Sequence, residues 1–215
     1  LYFWMQAASL AAFGMHEAAV RLPGMLLAAA GVITTALLAG RLFDRRTGLV
    51  AGVFYGTTIL PTALAQMPVH DVALPPCVNL AILGLWEAER ARGWRWLLPA
   101  LLAGVALGLA GLAKGLPGVA VVGVAFAVSL ALDRGPVLLR FMRGAADAGD
   151  RAALTGAVRL MTAGLVALAV GALVAAPWYV TRELHDPGYL RYFFLDRHVK
   201  GFTSGTQTHA GRPLW

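Results

Sequence analysis

The sequence predicts an all-α, polytopic transmembrane bundle, and three observations predict it. Of the 215 residues, 59% are hydrophobic and only 13% charged, with a mean hydropathy of +0.68; a soluble core of this size cannot hide so much apolar surface. The apolar residues fall into runs near the ~20 residues that a helix needs to cross a bilayer. The 18 Lys and Arg residues sit in short clusters between those runs rather than along one helical face. Such clusters set topology, and nucleic acid is excluded as a partner despite the formal charge of +7.

The elements follow in order. Residues 1–14 are aromatic-rich and too short to span, and are expected to form an interfacial helix. About six spans are expected, near residues 22–40, 49–67, 68–86, 96–113, 116–132 and 160–179, and an extracytoplasmic loop is expected to open over 180–215. The third carries Pro75 and Pro76 and reaches full length only if residues 68–71 lie at membrane depth, against protein or water. Between residues 132 and 160 the chain is polar, and 144–149 reads as a flexible turn. Cys77 is the one cysteine and lies in an apolar run, which leaves no disulfide framework and no cysteine-based metal site. The chain opens at Leu1 without Met, carries no signal-peptide pattern and stops at Trp215 just after a polar stretch, so it is expected to be an internal fragment.

Loop charges orient the bundle. Arg41, Arg45, Arg46, Arg90, Arg92, Arg95, Arg134, Arg140, Arg143, Arg151 and Arg159 fall on one side by parity; Arg21, Lys114 and the basic residues of the tail fall on the other. The positive-inside rule makes the first side cytoplasmic. Parity then groups the 67–71 turn, the 112–117 turn and the tail from Arg182 on the outer side.

Within that group several residues are candidates for chemistry. Asp71, preceded by His70, sits at the mouth of a span. A carboxylate there is paired, hydrated or functional, although an aspartate at a helix start also serves as an N-cap. Lys114 stands beside Gly115 and close to Pro117 in a very short turn. A lone ammonium with a glycine neighbour suits a phosphate, and equally suits a snorkelling lysine at a helix end. The tail holds Tyr179, a Tyr189-Leu-Arg-Tyr-Phe-Phe194 run, Asp196, Arg197, His198, Lys200 and His209. Its aromatics also fit an interfacial belt. His198 and His209 match no metal-ligand spacing. Phosphate-loop, nucleophile-elbow and His-Glu-x-x-His motifs do not occur.

The order of the motifs resembles a known family. Leu1-Tyr-Phe-Trp4, Glu17-Ala-Ala-Val-Arg-Leu-Pro23, Arg41-Leu-Phe-Asp-Arg-Arg-Thr-Gly48, Asp71, Lys114-Gly115, Ala176-Pro-Trp-Tyr179, Arg191-Tyr-Phe-Phe194 and the stretch from His209 to Trp215 are similar to the bacterial branch of the polyprenyl-phosphate-sugar glycosyltransferases. These are the protein O-mannosyltransferases and lipid A aminoarabinose transferases, with the membrane-embedded GT-C fold. Each motif is weak alone; eight in order across nearly the whole chain are specific.

The resemblance implies inverting transfer of a sugar from an undecaprenyl- or dolichyl-phosphate carrier to a lipid or protein acceptor, at the extracytoplasmic face of a bacterial inner membrane. It makes Asp71 the family's second acidic residue, which organises the site, and places the principal acidic residue upstream of Leu1. Lys114 matches the lysine that binds the carrier phosphate, with Arg197 and Lys200 as further candidates for leaving-group stabilisation. His198 falls where relatives with a divalent metal ion carry a histidine, and His209 precedes the Pro and Trp of the terminal motif. Relatives often have Glu just before the His198 position, where this chain has Arg197, and that departure counts against a metal. Membrane lipid is the remaining expected partner. A rival from another class is a transporter or flippase with Asp71 and Lys114 lining the substrate path, although no internal repeat supports it; a third is a structural subunit whose polar turns are only caps.

Overall fold

The computed structural model describes residues 1–144 and 147–200. Among them every regular element is helical: α1 (Tyr2–Phe13), α2 (Glu17–Leu42), α3 (Arg45–Thr57), α4 (Ile59–Gln66), α5 (Leu74–Arg90), α6 (Leu97–Lys114), α7 (Leu116–Ser129), α8 (Gly135–Met142) and α9 (Ala148–His185). Tight 3-10 turns at His70–Ala73 and Gly93–Trp96 lead into α5 and α6. Wider π-type segments cover Leu130–Arg134, between α7 and α8, and Arg191–Lys200, beyond α9.

Four of the described helical stretches are long and apolar enough to cross a membrane: Glu17–Leu42, Gly93–Lys114, Leu116–Val137 and Ala153–His185. A fifth results if α3 and α4, bent by 57°, count as one span. The bend has a local cause. Pro61 has no N–H to donate back across the break, and Thr58 turns extended at φ −69°, ψ 139°. Threonine hydroxyls supplement the backbone bonding around the break: Thr58 donates to the Phe54 oxygen at 2.6 Å and Thr62 donates across the break to the Gly56 oxygen at 3.2 Å.

The segment expected near 68–86 is displaced toward the C-terminus. Pro68 keeps Met67 and Val69 extended, so helical geometry starts only at His70 and runs on to Arg90. α5 alone has 17 residues, about 26 Å of helix, shorter than the ~30 Å hydrocarbon core. The last expected span likewise runs past Tyr179 to His185, because nothing in Val180–His185 breaks the helix before Asp186 caps it.

Small residues set the packing. α6 is the central helix, burying Ala100, Ala103, Gly104, Ala106, Leu107, Gly108 and Ala110 between α5 and α9. At Gly108 a Cβ would lie 2.7 Å from the Gly171 carbonyl oxygen, so α6 and α9 approach to backbone contact. In lipid, which removes the usual hydrophobic drive between helices, close contact of small residues is the main source of association. Polar bonds also cross the apolar region, from the Asn79 amide of α5 to the Thr35 and Thr34 hydroxyls of α2 at 3.0 and 3.4 Å.

The two ends of the bundle differ in chemistry. At one end lie Arg41 with Glu87 at 2.7 Å, Asp44 capping α3, Arg140 with Asp150, and Arg159 donating to the Ala91 carbonyl. α9 starts there in a capping box, Asp147 and Asp150 each accepting the other's backbone N–H. This is the end where the arginine clusters gather. The opposite end carries Asp71 and Lys114.

Candidate functional site

Lys114 owes its position to the turn between α6 and α7. Gly115 takes φ 76°, ψ −141°, a conformation that ends α6 without strain only in glycine, and its N–H donates to the Gly111 carbonyl at 2.7 Å. Pro117, in the first turn of α7, lacks the N–H that would be unpartnered there anyway. The chain thus reverses within one residue. Lys114 is left at the C-terminus of one helix and beside the N-terminus of the next, where backbone N–H groups and the helix dipole favour anions.

Asp71 is the second residue of the 3-10 turn after Pro68. It caps no helix: neither that turn nor α5 has a side-chain cap bond, so the capping explanation of this carboxylate does not hold. Instead Oδ1 lies 2.9 Å from Lys114 Nζ and 3.3 Å from His70 Nε2. Oδ1 is shielded from solvent and neither contact is aligned as a hydrogen bond, so what holds Lys114 at Asp71 is the attraction of opposite charges. The Asp71 side chain is nonetheless 39% exposed, which leaves Oδ2 as its open oxygen.

A cavity of about 520 Å³ opens beside the pair, lined among others by His70, Lys114, Trp4, Tyr179, Phe193 and Arg197. Its volume is in the ordinary range for a small-molecule site. Three consecutive aromatics at the start of α1 hold its walls. Tyr2 is buried, the Phe3 ring centroid is 6.2 Å from that of His70, and Trp4 packs edge-on against Trp178 at 5.0 Å. α1 is itself pinned to α2 by the Ser9 hydroxyl, which donates to the Ala19 carbonyl at 2.7 Å.

The far wall comes from α9 and the segment after it. The Tyr179 hydroxyl donates to the Gly111 carbonyl at 3.0 Å, and its ring packs on Phe193 and Phe194 at 5.5 and 5.3 Å. Glu183 accepts from the backbone N–H groups of Gly188 and Leu190, at 2.9 and 2.8 Å, fixing the reversal that brings Arg191–Lys200 back over the cavity. An apolar groove of about 390 Å³ continues from this cavity along the seam of α7 and α9, sharing Gly111, Gly115 and Tyr179 with it.

The structure therefore brings together His70, Asp71, Lys114, Tyr179 and Arg197. Lys200 instead pairs with Asp196 one helical turn away, and its hydrogen bond holds the Asp196 carboxyl below the usual carboxylate range. His198 lies in the same segment, and His209 falls outside the described residues. Among the described residues no three His, Cys, Asp or Glu side chains converge as a metal site requires, and Asp196 is already taken by an ammonium. What the residues alone did not reveal is the Gly111 carbonyl as an anchor, since a backbone acceptor has no signature in sequence. The bracing role of Tyr2, Phe3 and Trp4 was equally hidden, although the motif itself stands out.

Comparison with known proteins places this arrangement. A sequence model of the family described as dolichyl-phosphate-mannose-protein mannosyltransferase matches residues 1–142. An undecaprenyl phosphate-alpha-4-amino-4-deoxy-L-arabinose arabinosyl transferase of Pseudomonas fluorescens (strain Pf0-1) is 30% identical over 221 residues, covering 99% of this chain and 34% of its own length. The corresponding transferase of Pseudomonas aeruginosa (strain LESB58) is 30% identical, covering 99% and 35%, and that of Aeromonas salmonicida (strain A449) is 25% identical, covering 99% and 35%. The chain thus spans about a third of the length of these curated relatives. No solved structure matches. With a match through the helices that carry Asp71 and Lys114, the chain belongs to the dolichyl-phosphate-mannose-protein mannosyltransferase family.

Proposed function

We propose that the protein is an integral-membrane glycosyltransferase that moves a sugar from a polyprenyl-phosphate carrier to a lipid or protein acceptor at the extracytoplasmic face. A 4-amino-4-deoxy-L-arabinose donor is favoured after the names of the relatives, and a lipid acceptor is our own choice between the two. The observation that carries the proposal is the contact of Lys114 with Asp71 beside a cavity that holds Lys114, His70 and Arg197 and continues into an apolar groove.

Each part has a task. The groove along α7 and α9 takes the start of the polyprenyl chain, and the carrier phosphate then falls at Lys114 and the first turn of α7. There the ammonium and the helix dipole stabilise the charge that grows on the leaving phosphate as its bond to the anomeric carbon breaks. Arg197, on the opposite wall, adds a second cation. Asp71 keeps the ammonium in place before the donor arrives, and its open oxygen then orients the acceptor hydroxyl or the sugar. The eleven arginines that parity groups on the other side support a cytoplasmic position for that end by the positive-inside rule, and with it an outer-face cavity.

The test is transfer of labelled sugar from polyprenyl-phosphate donors by membranes containing the full natural protein, with lipid and protein products separated. The proposal expects labelled lipid and a loss of about a hundredfold in Lys114→Ala, near the upper end for a charged hydrogen bond. Donor flux across proteoliposomes without any transfer product would instead establish the transporter alternative.

A further inference from the structure

A second groove, away from the site above, lies on the membrane face of α2, α5 and α6. Its volume is about 530 Å³, and Leu37, Leu80, Leu102 and Leu109 are among the residues that line it. Leu37, Leu80 and Leu102 are each more than 40% exposed, so no described residue closes the groove along its side. Apart from the Cys77 thiol, its polar lining consists of Arg41 and Glu87, which stand together at one end with Nη1 and Oε1 2.7 Å apart.

Length and charge identify an occupant. From Cys77 to Glu87 the groove follows ten residues of α5, about 15 Å, which is half of the ~30 Å hydrocarbon core. That is the depth of one leaflet, with a charged pair at the headgroup level. The pair lies at the arginine end of the bundle, opposite Lys114, so this groove does not continue the path to the cavity beside Lys114. The single Arg41–Glu87 contact engages one donor of the guanidinium and one carboxylate oxygen, and the Arg41 side chain is 63% exposed. An anionic headgroup would meet the carboxylate and a cationic one the guanidinium. A zwitterionic headgroup offers a phosphate to the first and an ammonium to the second.

We infer that this groove is a binding site for a diacyl phospholipid with a phosphoethanolamine headgroup, its phosphate on Arg41, its primary ammonium on Glu87 and an acyl chain along α5 and α6. A primary ammonium donates hydrogen bonds to Glu87, which a quaternary choline cannot do. The site rests on the α2–α5–α6 packing alone and stands or falls independently of the transferase reading.

The test uses the full natural protein in mild detergent, incubated with equal amounts of phosphatidylethanolamine, phosphatidylcholine and phosphatidylglycerol of identical chains, and native mass spectrometry of what is retained. Phosphatidylethanolamine is expected to be retained about tenfold over the others, as for a hydrogen bond to a charged group. The preference should vanish in Glu87→Gln and in the swap Arg41→Glu/Glu87→Arg, which preserves the ion pair and hence the fold. Leu80→Trp, which fills the groove and leaves both charges, should lose the lipid while its melting temperature holds. Equal retention of the three headgroups, a preference for phosphatidylglycerol, an unaffected charge swap, or polyprenyl phosphate displacing the bound lipid would each overturn the inference.

Discussion

The Tyr179 hydroxyl donates a 3.0 Å hydrogen bond to the carbonyl oxygen of Gly111, one helical turn before Lys114. This bond ties α9 to the end of α6 that carries the ammonium. Because the same ring packs on Phe193 and Phe194, one side chain positions both Lys114 and the segment bearing Arg197.

Tyr179→Phe keeps the ring contacts and removes only the hydroxyl. A neutral hydrogen bond contributes about 0.5–1.5 kcal/mol, so sugar transfer should fall by up to about tenfold. Donor KM should carry most of the change, since the bond positions the phosphate site rather than reacting groups. Tyr179→Ala, which also removes the aromatic wall, should be much worse. Steady-state kinetics of the two variants check this; equal loss in both would show that the hydroxyl alone matters.

Gly108→Val should destabilise the bundle by about 1–3 kcal/mol or more, because the new side chain meets backbone and has no room to relax. Its Cβ would lie 2.7 Å from both the Gly171 carbonyl oxygen and the Val174 Cβ. Gly123→Ala is the control: nothing lies within 4 Å of the new Cβ. Melting temperatures in detergent should separate the two.

That contrast shows what was legible in the sequence. Composition and apolar runs predict a helical membrane bundle, and the same counting groups the 67–71 turn with the 112–117 turn, because parity along spans needs no contact information. The Lys114–Asp71 distance confirms that these two turns meet at one end. Yet runs of Gly and Ala look alike at 104, 108 and 123, although only the first two touch α9; which face of an all-apolar helix is buried has no mark in the residues. The first residue of α5 has no mark in the sequence for a related reason, since the extended residues around Pro68 count as apolar in any window.

Acid should loosen the start of α9 before the rest. The Arg140 guanidinium, by its hydrogen bonds, holds the Asp150 carboxyl below its ordinary range, and the Asp147 backbone N–H adds to this. A depressed folded-state pKa gives stability that is complete above the unfolded value and is lost as pH falls through the folded one. Protection of the first turns of α9, taken relative to the intrinsic exchange rate at each pH, should therefore fall at acid pH, and Asp150→Asn should flatten the fall. An unchanged profile in that variant would contradict this account.

Asp71 and Lys114 should behave as a pair. Asp71→Asn and Lys114→Ala each reduce transfer, and because they touch, the double variant should fall short of the product of the two effects by about fivefold, equivalent to a coupling near 1 kcal/mol. Effects that simply multiply would mean that the two side chains act independently despite the contact at 2.9 Å.

The central claim is that Lys114 holds the carrier phosphate, and it is tested most directly by binding rather than turnover. The measurement is the Kd of undecaprenyl phosphate, without any sugar, for the full natural protein and for Lys114→Ala in the same detergent. A charge-assisted hydrogen bond of about 1.5–3 kcal/mol predicts a Kd raised by about ten- to a hundredfold, with Lys114→Arg restoring much of it. An unchanged Kd in Lys114→Ala would contradict the account.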